Sequence, residues 1–132
     1  MKKSLRGYFL ISKKWMRNLA PTITRQRLLI EGFYQIDVNE IVIKDYFTKI
    51  TGELSLKAYE KPTIFSTREG KDINQGYDAF IPLIDSGISL YAWSNAKFLS
   101  LIIYTCKSFD KRIAILVTKE FFNIKEVESL DF

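Results

Sequence analysis

The stretch LIDSGISLYAW (83–93) is an apolar, strand-like run that is interrupted by Asp85, Ser86 and Gly87. Asp and Gly are poor strand residues, and polar atoms in an apolar layer need hydrogen-bond partners or a chemical task. Ser86 is a candidate for such chemistry, and the only thiol of the chain, Cys106, follows twenty residues later. The same residues also suit structural roles, because Asp-Ser-Gly is typical of a tight turn or bulge and a cysteine at a strand end is often a small hydrophobe.

The chain contains no histidine, which removes the commonest general base and the commonest metal ligand together. Catalysis must therefore use carboxylates, hydroxyls, the thiol or a modified residue, and a metal site is not expected. A single cysteine excludes an intrachain disulfide and fits a reducing, cytoplasmic location. No run of about 18 apolar residues predicts a membrane-spanning helix.

Charge divides the chain into two parts. Residues 1–26 carry seven lysines and arginines and no acid, whereas residues 27–132 carry 13 basic and 15 acidic residues. The basic N-terminal extension (1–26) could bind nucleic acid or an anionic membrane surface, but we favour an ordinary solvated segment. It lacks the apolar core and cleavage site of a secretory signal, and Met16 is an alternative start. Residues 27–132 are expected to form one domain.

Hydrophobic periodicity predicts the elements that position these side chains. We expect two helices, at 37–54 and from Asp110 onward, and strands at 27–34, 56–67, 77–85, 88–93, 98–106 and 126–132. Asp37 and Glu40 form a capping-box pattern, and Pro62 indicates a sheet edge or bulge. The close spacing of the central strands favours antiparallel pairing. The sequence therefore predicts an α+β fold, a two-layer α/β sandwich with a mostly antiparallel sheet.

From Arg27 to Phe132 the chain resembles the small prokaryotic S-adenosylmethionine decarboxylases. The resemblance rests on LLIEGFYQID (28–37), IDSGISLYAW (84–93) and IIYTC (102–106). In these stretches a Phe-Tyr-x-x-Asp pattern ends the first strand, an acid-Ser pair opens a strand that ends in Trp, and Thr-Cys ends the next strand. The resemblance covers about four-fifths of the chain and implies the same fold.

The resemblance also implies an activity. Ser86 would be the precursor of a pyruvoyl group, which forms when the chain cuts itself between Asp85 and Ser86. The finished enzyme would decarboxylate S-adenosylmethionine, or a related amino acid, in polyamine (spermidine) biosynthesis. Cys106 would return a proton to the substrate carbon. A homodimer with active sites at its interface is implied as well.

Three positions depart from the family pattern. Tyr91 replaces the histidine five residues after the serine, Asp78 replaces a serine eight residues before it, and Gly87 replaces the histidine that directly follows it in many members. A phenol is a poor base at neutral pH but can donate a proton, and the carboxylate of Asp78 could act as the base instead. The predicted catalytic set is therefore Ser86, Cys106, Asp78 and Tyr91.

The expected substrate site contains Glu31, Phe33 and Trp93. Carboxylates of Glu31, Asp78 and Asp85 near one pocket would suit a cationic sulfonium or amine. Phe33 and Trp93 would stack on an adenosyl group or make cation–π contacts, although aromatic side chains on strands are more often core residues.

Two other functions stay open from the sequence. The chain could be an uncleaved relative that acts as a ligand-binding or regulatory partner of an active paralogue. Alternatively, the basic extension could be the functional part, with salt-sensitive binding to nucleic acid or to a membrane surface.

Overall fold

The described part of the chain forms six strands and two helices in the order predicted from the sequence. The computed structural model describes residues 16–66 and 75–132. Within these residues the elements are β1 (Gln26–Phe33), α1 (Glu40–Glu53), β2 (Thr63–Ser66), β3 (Gly76–Leu83), β4 (Ser86–Trp93), β5 (Phe98–Thr105), α2 (Lys111–Phe121) and β6 (Val127–Asp131). Residues 1–15 of the basic extension and residues 67–74 of the polar loop lie outside the described residues.

All six strands belong to one sheet, in the order β2-β3-β4-β5-β1-β6. Every neighbouring pair is antiparallel. β3, β4 and β5 follow one another as hairpins, whereas β1 is inserted between β5 and β6. The predicted α+β fold with a largely antiparallel sheet is confirmed.

The two faces of the sheet differ because strand side chains alternate. One face is apolar and packs with both helices in a single core, to which Leu28, Ile30, Leu90 and Leu101 contribute. On the other face, here called the open face, the side chains are half-buried or exposed. Tyr91, for example, is 40% exposed. The architecture is therefore a two-layer sandwich in which no helix of residues 16–66 and 75–132 covers the open face.

The first helix begins later than the sequence pattern predicts. Asn39, not Asp37, is its N-cap, and the Asn39 side chain accepts a hydrogen bond from the backbone N–H of Val42 at 2.9 Å. Asn and Asp are comparable as N-caps, so the pattern alone could not separate the two positions. The second helix begins as predicted, because the Asp110 side chain accepts a bond from the N–H of Arg112.

The helices are joined to each other through a buried tyrosine. The hydroxyl groups of Tyr46 and Thr118 are 2.7 Å apart, and Thr118 donates to the carbonyl of Ala114. Tyr46 is therefore the donor to Thr118. Burial of the phenol raises the pKa of Tyr46 above its ordinary value. This contact fixes the relative position of the two helices over the sheet.

The second predicted strand is shorter than expected. Of residues 56–66, only Thr63–Ser66 pairs as β2, at the edge of the sheet, while Ala58 forms an isolated bridge to Leu83; Thr67 lies outside the described residues. Pro62 lies directly before β2, and a proline cannot donate a ladder hydrogen bond. The edge position agrees with the one that Pro62 indicates. Neither described helix is both long and apolar enough to cross a membrane.

Candidate functional site

Ser86 and Cys106 meet at one end of the sheet. β4 begins at Ser86 and β5 ends at Thr105, and these strands are antiparallel, with Gly87 opposite Tyr104. This register carries Ser86 beside the residue that follows β5. The backbone N–H of Cys106 donates a hydrogen bond to the Ser86 Oγ at 3.0 Å. The spacing of twenty residues in the sequence therefore corresponds to a direct contact in the fold.

The bond before Ser86 belongs to a tight turn. Leu83 pairs with Ser86, so Ile84 and Asp85 form a two-residue connection between β3 and β4. Asp85 has a φ of 55°, in the left-handed region that asparagine and aspartate tolerate better than most residues. Of the three residues Asp85, Ser86 and Gly87, only Asp85 lies in this turn, because Ser86 and Gly87 already pair with β3 as the first residues of β4. The turn explains why Asp85 stands between two apolar strands.

A cavity of about 330 Å³ lies beside Ser86 on the helix side of the sheet. The thiol-bearing Cys106 and the hydroxyl-bearing Ser86 both border it. Two lysines, Lys57 and Lys107, border it as well. The remaining lining comes from the segment after α1 and from the β3–β4 turn: Ser55, Leu56, Leu83, Ile84 and Asp85.

A second cavity, of about 370 Å³, lies on the open face at the same end of the sheet. Gly87 borders it, and the ring of Phe80 lies so close to this glycine that a Cβ at position 87 would be 2.6 Å from two ring carbons. Tyr104 borders the cavity on the other side. Ser86 and Asp85 border both cavities, so this turn separates the two spaces.

The other predicted polar residues form a row across the open face, away from Ser86. The strand registers place Glu31 opposite Ser100, Ser100 opposite Tyr91, and Tyr91 opposite Asp78. The Ser100 hydroxyl donates to a Glu31 carboxylate oxygen at 2.7 Å. Five residues along β4 separate Ser86 from Tyr91, or roughly 17 Å at about 3.4 Å per residue. One chain therefore does not bring this polar row together with Ser86 and Cys106.

Phe33 and Trp93 lie still farther along the strands. Both rings contact Phe98, with centroid distances of 5.2 Å and 5.6 Å. The Tyr34 hydroxyl donates to the carbonyl of Trp93 at 3.2 Å, and burial of its phenol raises the pKa of Tyr34. Seven residues separate Ser86 from Trp93 in β4, or roughly 24 Å at about 3.4 Å per residue. The two predicted substrate-binding aromatic residues thus lie together, at the opposite end from Ser86.

Sequence reasoning missed the residues that complete the surroundings of Ser86. Lys57 and Lys107 lie in irregular segments with no periodic pattern, so no sequence signal marks them as neighbours. Phe80 could have been found from the sequence. Strand alternation places this aromatic residue on the outer face of β3, where it pairs across the hairpin with Ser89, two residues from Gly87. Among residues 16–66 and 75–132, no three side chains of the metal-binding types lie close enough to hold an ion.

The strand order and the placement of the two helices have a counterpart among solved structures. The chain is similar in structure to the adenosylmethionine decarboxylase from Aquifex aeolicus VF5, with a TM-score of 0.67 over 83% of this chain and 89% of that one. The two sequences are 15% identical, so the similarity concerns the fold. No family model matches the sequence, and no curated protein sequence matches it either.

Proposed function

We propose that this protein is a pyruvoyl-dependent amino acid decarboxylase that activates itself by cutting the bond between Asp85 and Ser86. The contact between Ser86 and Cys106 carries the proposal, because it unites the pyruvoyl precursor and the proton donor that the family resemblance implies. The fold similarity to an adenosylmethionine decarboxylase supports it. S-adenosylmethionine or a related amino acid is the corresponding substrate.

The cut requires the Ser86 Oγ to attack the carbonyl carbon of Asp85. The peptide bond is then replaced by an ester, and the nitrogen of Ser86 becomes a free amine. Elimination across the Cα–Cβ bond of Ser86 breaks the ester and releases the Asp85 carboxylate as a new C-terminus. Water then displaces ammonia from the remaining dehydroalanine, which leaves a pyruvoyl group at residue 86. The exposed turn at Asp85 supports this chemistry because its carbonyl is not enclosed in the sheet.

The surroundings of Ser86 fit a pyruvoyl group. A pyruvoyl carbonyl supplies an electron sink for the carbon that loses carbon dioxide. Cys106 borders the same cavity, and its thiol would donate a proton to that carbon. The N–H of Cys106 would remain as a donor toward residue 86 after processing.

Tyr91 and Asp78 join this proposal through a second copy of the chain. Both point to the open face, on the polar row that also contains Glu31. The face is lined by apolar and aromatic side chains, and Phe33 and Phe80 are 60% and 43% exposed. Two such faces could pack against each other about a two-fold axis that runs across the strands. This axis reverses the strand direction, so the polar row of one protomer would lie toward the end of the partner's sheet where Ser86 is found. The homodimer would thereby bring Asp78 and Tyr91 of one protomer toward the open-face cavity that Ser86 of the other borders, while Cys106 borders Ser86 from the helix side.

Intact mass measurement on the denatured protein tests the self-cleavage. We expect fragments of 85 and 47 residues. The smaller fragment should have a blocked N-terminus, because the amino group of residue 86 has left as ammonia. Ser86→Ala should remain a single 15.4 kDa chain, whereas Ser129→Ala, an exposed serine on β6, should be cut normally. Cys106→Ala should be cut but should turn over substrate poorly. A wild-type protein that stays uncut would refute the proposal.

The dimer has its own test by light scattering. The wild type is expected at twice the mass of the chain. Ile102→Lys, in the middle of the open face, should shift it to the monomer, and Leu116→Lys, at a position 54% exposed on α2, should not. A monomeric wild type, or equal behaviour of both variants, would contradict the proposed interface.

The second candidate function is that of an uncleaved ligand-binding protein. One observation favours it: the Ser86 Oγ already accepts the Cys106 N–H, which engages the oxygen that would attack, and the chain has no histidine to activate it. If Tyr91 is what prevents processing, Tyr91→His should produce the 85- and 47-residue fragments in a protein that is otherwise intact.

A further inference from the structure

Arg27 is the only basic residue among the strand positions of the open face, and it lies toward the Ser86 end of the sheet. Its Cζ is 5.6 Å from the centroid of the Phe132 ring, and Tyr104 is its neighbour on β5. The Arg27 Nε is buried and has no hydrogen-bond partner among the described residues. The ion pairs within residues 16–66 and 75–132 do not include Arg27 either. An unpaired buried donor costs free energy, so this guanidinium favours an additional partner.

The acidic residues of the open-face strands all lie in the polar row. Glu128 of β6 is opposite Glu31, and the row continues across the sheet to Asp78. Within residues 16–66 and 75–132 none of these three carboxylates forms an ion pair. Glu31 accepts one hydrogen bond from Ser100, and a carboxylate has about four acceptor sites, so it retains capacity for a guanidinium.

Arg27 and the polar row lie at equal distances on the two sides of a largely apolar row, here called the central row. Arg27 and Glu31 are four residues apart on β1, or roughly 14 Å at about 3.4 Å per residue, and they form no ion pair with each other within one chain. Leu29 lies midway between them. The strand registers extend the central row from Leu29 to both sides of the sheet: Leu130, Leu29, Ile102, Ser89 and Phe80.

A two-fold axis that runs across the strands, directly over the central row, brings opposite charges together. The axis reverses the strand direction, so Arg27 of each protomer meets the partner's Glu31, and Leu29 meets the partner's Leu29. An axis over the polar row would instead bring each carboxylate of this row onto its own symmetry copy. An axis along the strands would keep the polar row opposite itself as well. Because like charges repel, the charge pattern favours the axis over the central row.

The open face is large enough for a stable dimer. Five strands of about eight residues cover roughly 24 Å by 27 Å, at about 4.8 Å between strands and about 3.4 Å per residue. Two packed faces would therefore bury about 1,300 Å² in total, which is within the range of stable interfaces. Leu130 and Phe80 of the central row are exposed in the single chain, and a second copy would cover both.

We propose that the open face binds a second copy of the chain in this register, with an ion pair between Arg27 of each protomer and the partner's Glu31. This inference rests on the homodimer of the proposed function and names the residues that orient it. In this register the partner's Tyr91 faces the row of Gly87, which borders the open-face cavity beside Ser86. Arg27 and Glu31 are therefore positioning residues, which act on the site by orienting the partner's polar row.

Charge reversal followed by mixing tests the ion pair, with sedimentation velocity as the measurement of the dimer dissociation constant. Arg27→Glu and Glu31→Arg each place like charges opposite each other twice in the homodimer, so each variant alone should raise the constant at least about tenfold. Mixing the two variants should restore it to within about threefold of the wild type, because every facing pair is again of opposite sign. Lys119→Glu and Glu120→Arg, at exposed positions of α2, are the controls and should leave the constant unchanged.

A monomeric wild type would overturn the inference, and so would reversed variants that dimerise as tightly as the wild type. Two variants that dissociate alone and stay monomeric after mixing would refute the register. Circular dichroism checks that each variant is folded. If a reversal unfolds the chain, Arg27→Gln and Glu31→Gln replace it, and their combined effect on the dissociation constant should be smaller than the product of the two single effects. Strictly multiplicative effects would contradict the ion pair.

Intact mass measurement reports the proposed function separately. A wild type that stays uncut but forms dimers that the mixing experiment restores would support the interface and refute the decarboxylase. A wild type that is cut, but whose reversed variants remain dimeric, would support the decarboxylase and refute the ion pair.

Discussion

Replacing Gly76 by alanine should disrupt the start of β3 far more than its small added volume suggests. A Cβ at this position would lie 1.8 Å from the carbonyl oxygen of Ala92 and 2.8 Å from its carbonyl carbon, on the neighbouring strand. Both are backbone atoms, so no side-chain rotation relieves the overlap. The strands must separate by more than about 1 Å to reach ordinary contact distances.

The free energy of unfolding should fall by about 3–5 kcal/mol. Overpacking in a well-packed region costs roughly 1–3 kcal/mol, and the loss of about two ladder hydrogen bonds between β3 and β4 adds about 2 kcal/mol. For a chain of this size, each kcal/mol lowers Tm by about 3–5 °C, so the expected decrease is roughly 10–25 °C. Urea unfolding followed by circular dichroism measures the same change as a lower midpoint.

Gly52 provides the matched control. It lies in the last turn of α1, and a Cβ there would have no heavy atom within 4 Å. Alanine is the better helix residue, so Gly52→Ala should raise stability by about 0.5–1 kcal/mol. If Gly76→Ala and Gly52→Ala have equal stabilities, or if Gly76→Ala loses less than about 1 kcal/mol, the reasoning about close backbone contact is wrong.

Three further substitutions test other parts of the fold. Gly87→Ala should displace the exposed edge of the Phe80 ring and lower the free energy of unfolding by less than about 1 kcal/mol. A double-mutant cycle with Phe80→Ala should show that the two substitutions are coupled, and strictly additive effects would contradict the contact. Tyr46→Phe should lose about 1–2 kcal/mol at pH 8. The raised pKa of Tyr46 means that the folded state keeps a proton that the unfolded state loses at high pH. The contribution of Tyr46 to the free energy of unfolding is therefore fully present below about pH 10 and is lost as the pH rises further. Urea unfolding as a function of pH should show a smaller loss of stability in Tyr46→Phe than in the wild type. Asn39→Ala should lower the free energy of unfolding, measured with urea, by about 1 kcal/mol, whereas Asp37→Ala should change it little. The reverse result would show that Asp37 is the N-cap.

The order and type of the elements could be predicted from the sequence because each carries a local signal. Strand periodicity and the spacing of hairpins are local properties, and so is the aspartate that opens α2. Element boundaries were less accurate. Asn39 and Asp37 are equivalent caps in isolation, and the choice depends on which residues of α1 reach the core. The apolar residues from Leu56 to Tyr59 look like a strand, but only Ala58 makes a bridge.

The candidate site was predictable only in part, for reasons of register. Ser86 and Cys106 lie side by side because they stand at the two ends of one hairpin, so their spacing in the sequence is enough to predict the contact. Asp78 and Tyr91 face each other on the β3–β4 hairpin, and the five residues of β4 between Ser86 and Tyr91 set their distance from Ser86. Glu31 joins their row only through the pairing of β1 with β5. No pattern in a single sequence specifies that pairing.

The position of the Asp85-Ser86 bond in the sheet has a thermodynamic consequence. The bond follows the turn, outside the ladder of eight residue pairs between β3 and β4. The fragment 1–85 contains β1, β2 and β3, while 86–132 contains β4, β5 and β6, and β1 lies between β5 and β6. The two pieces would therefore interleave, with contacts at three strand boundaries. Cutting would convert one chain into an obligate heterodimer whose Tm rises with protein concentration, and whose refolding becomes a second-order reaction.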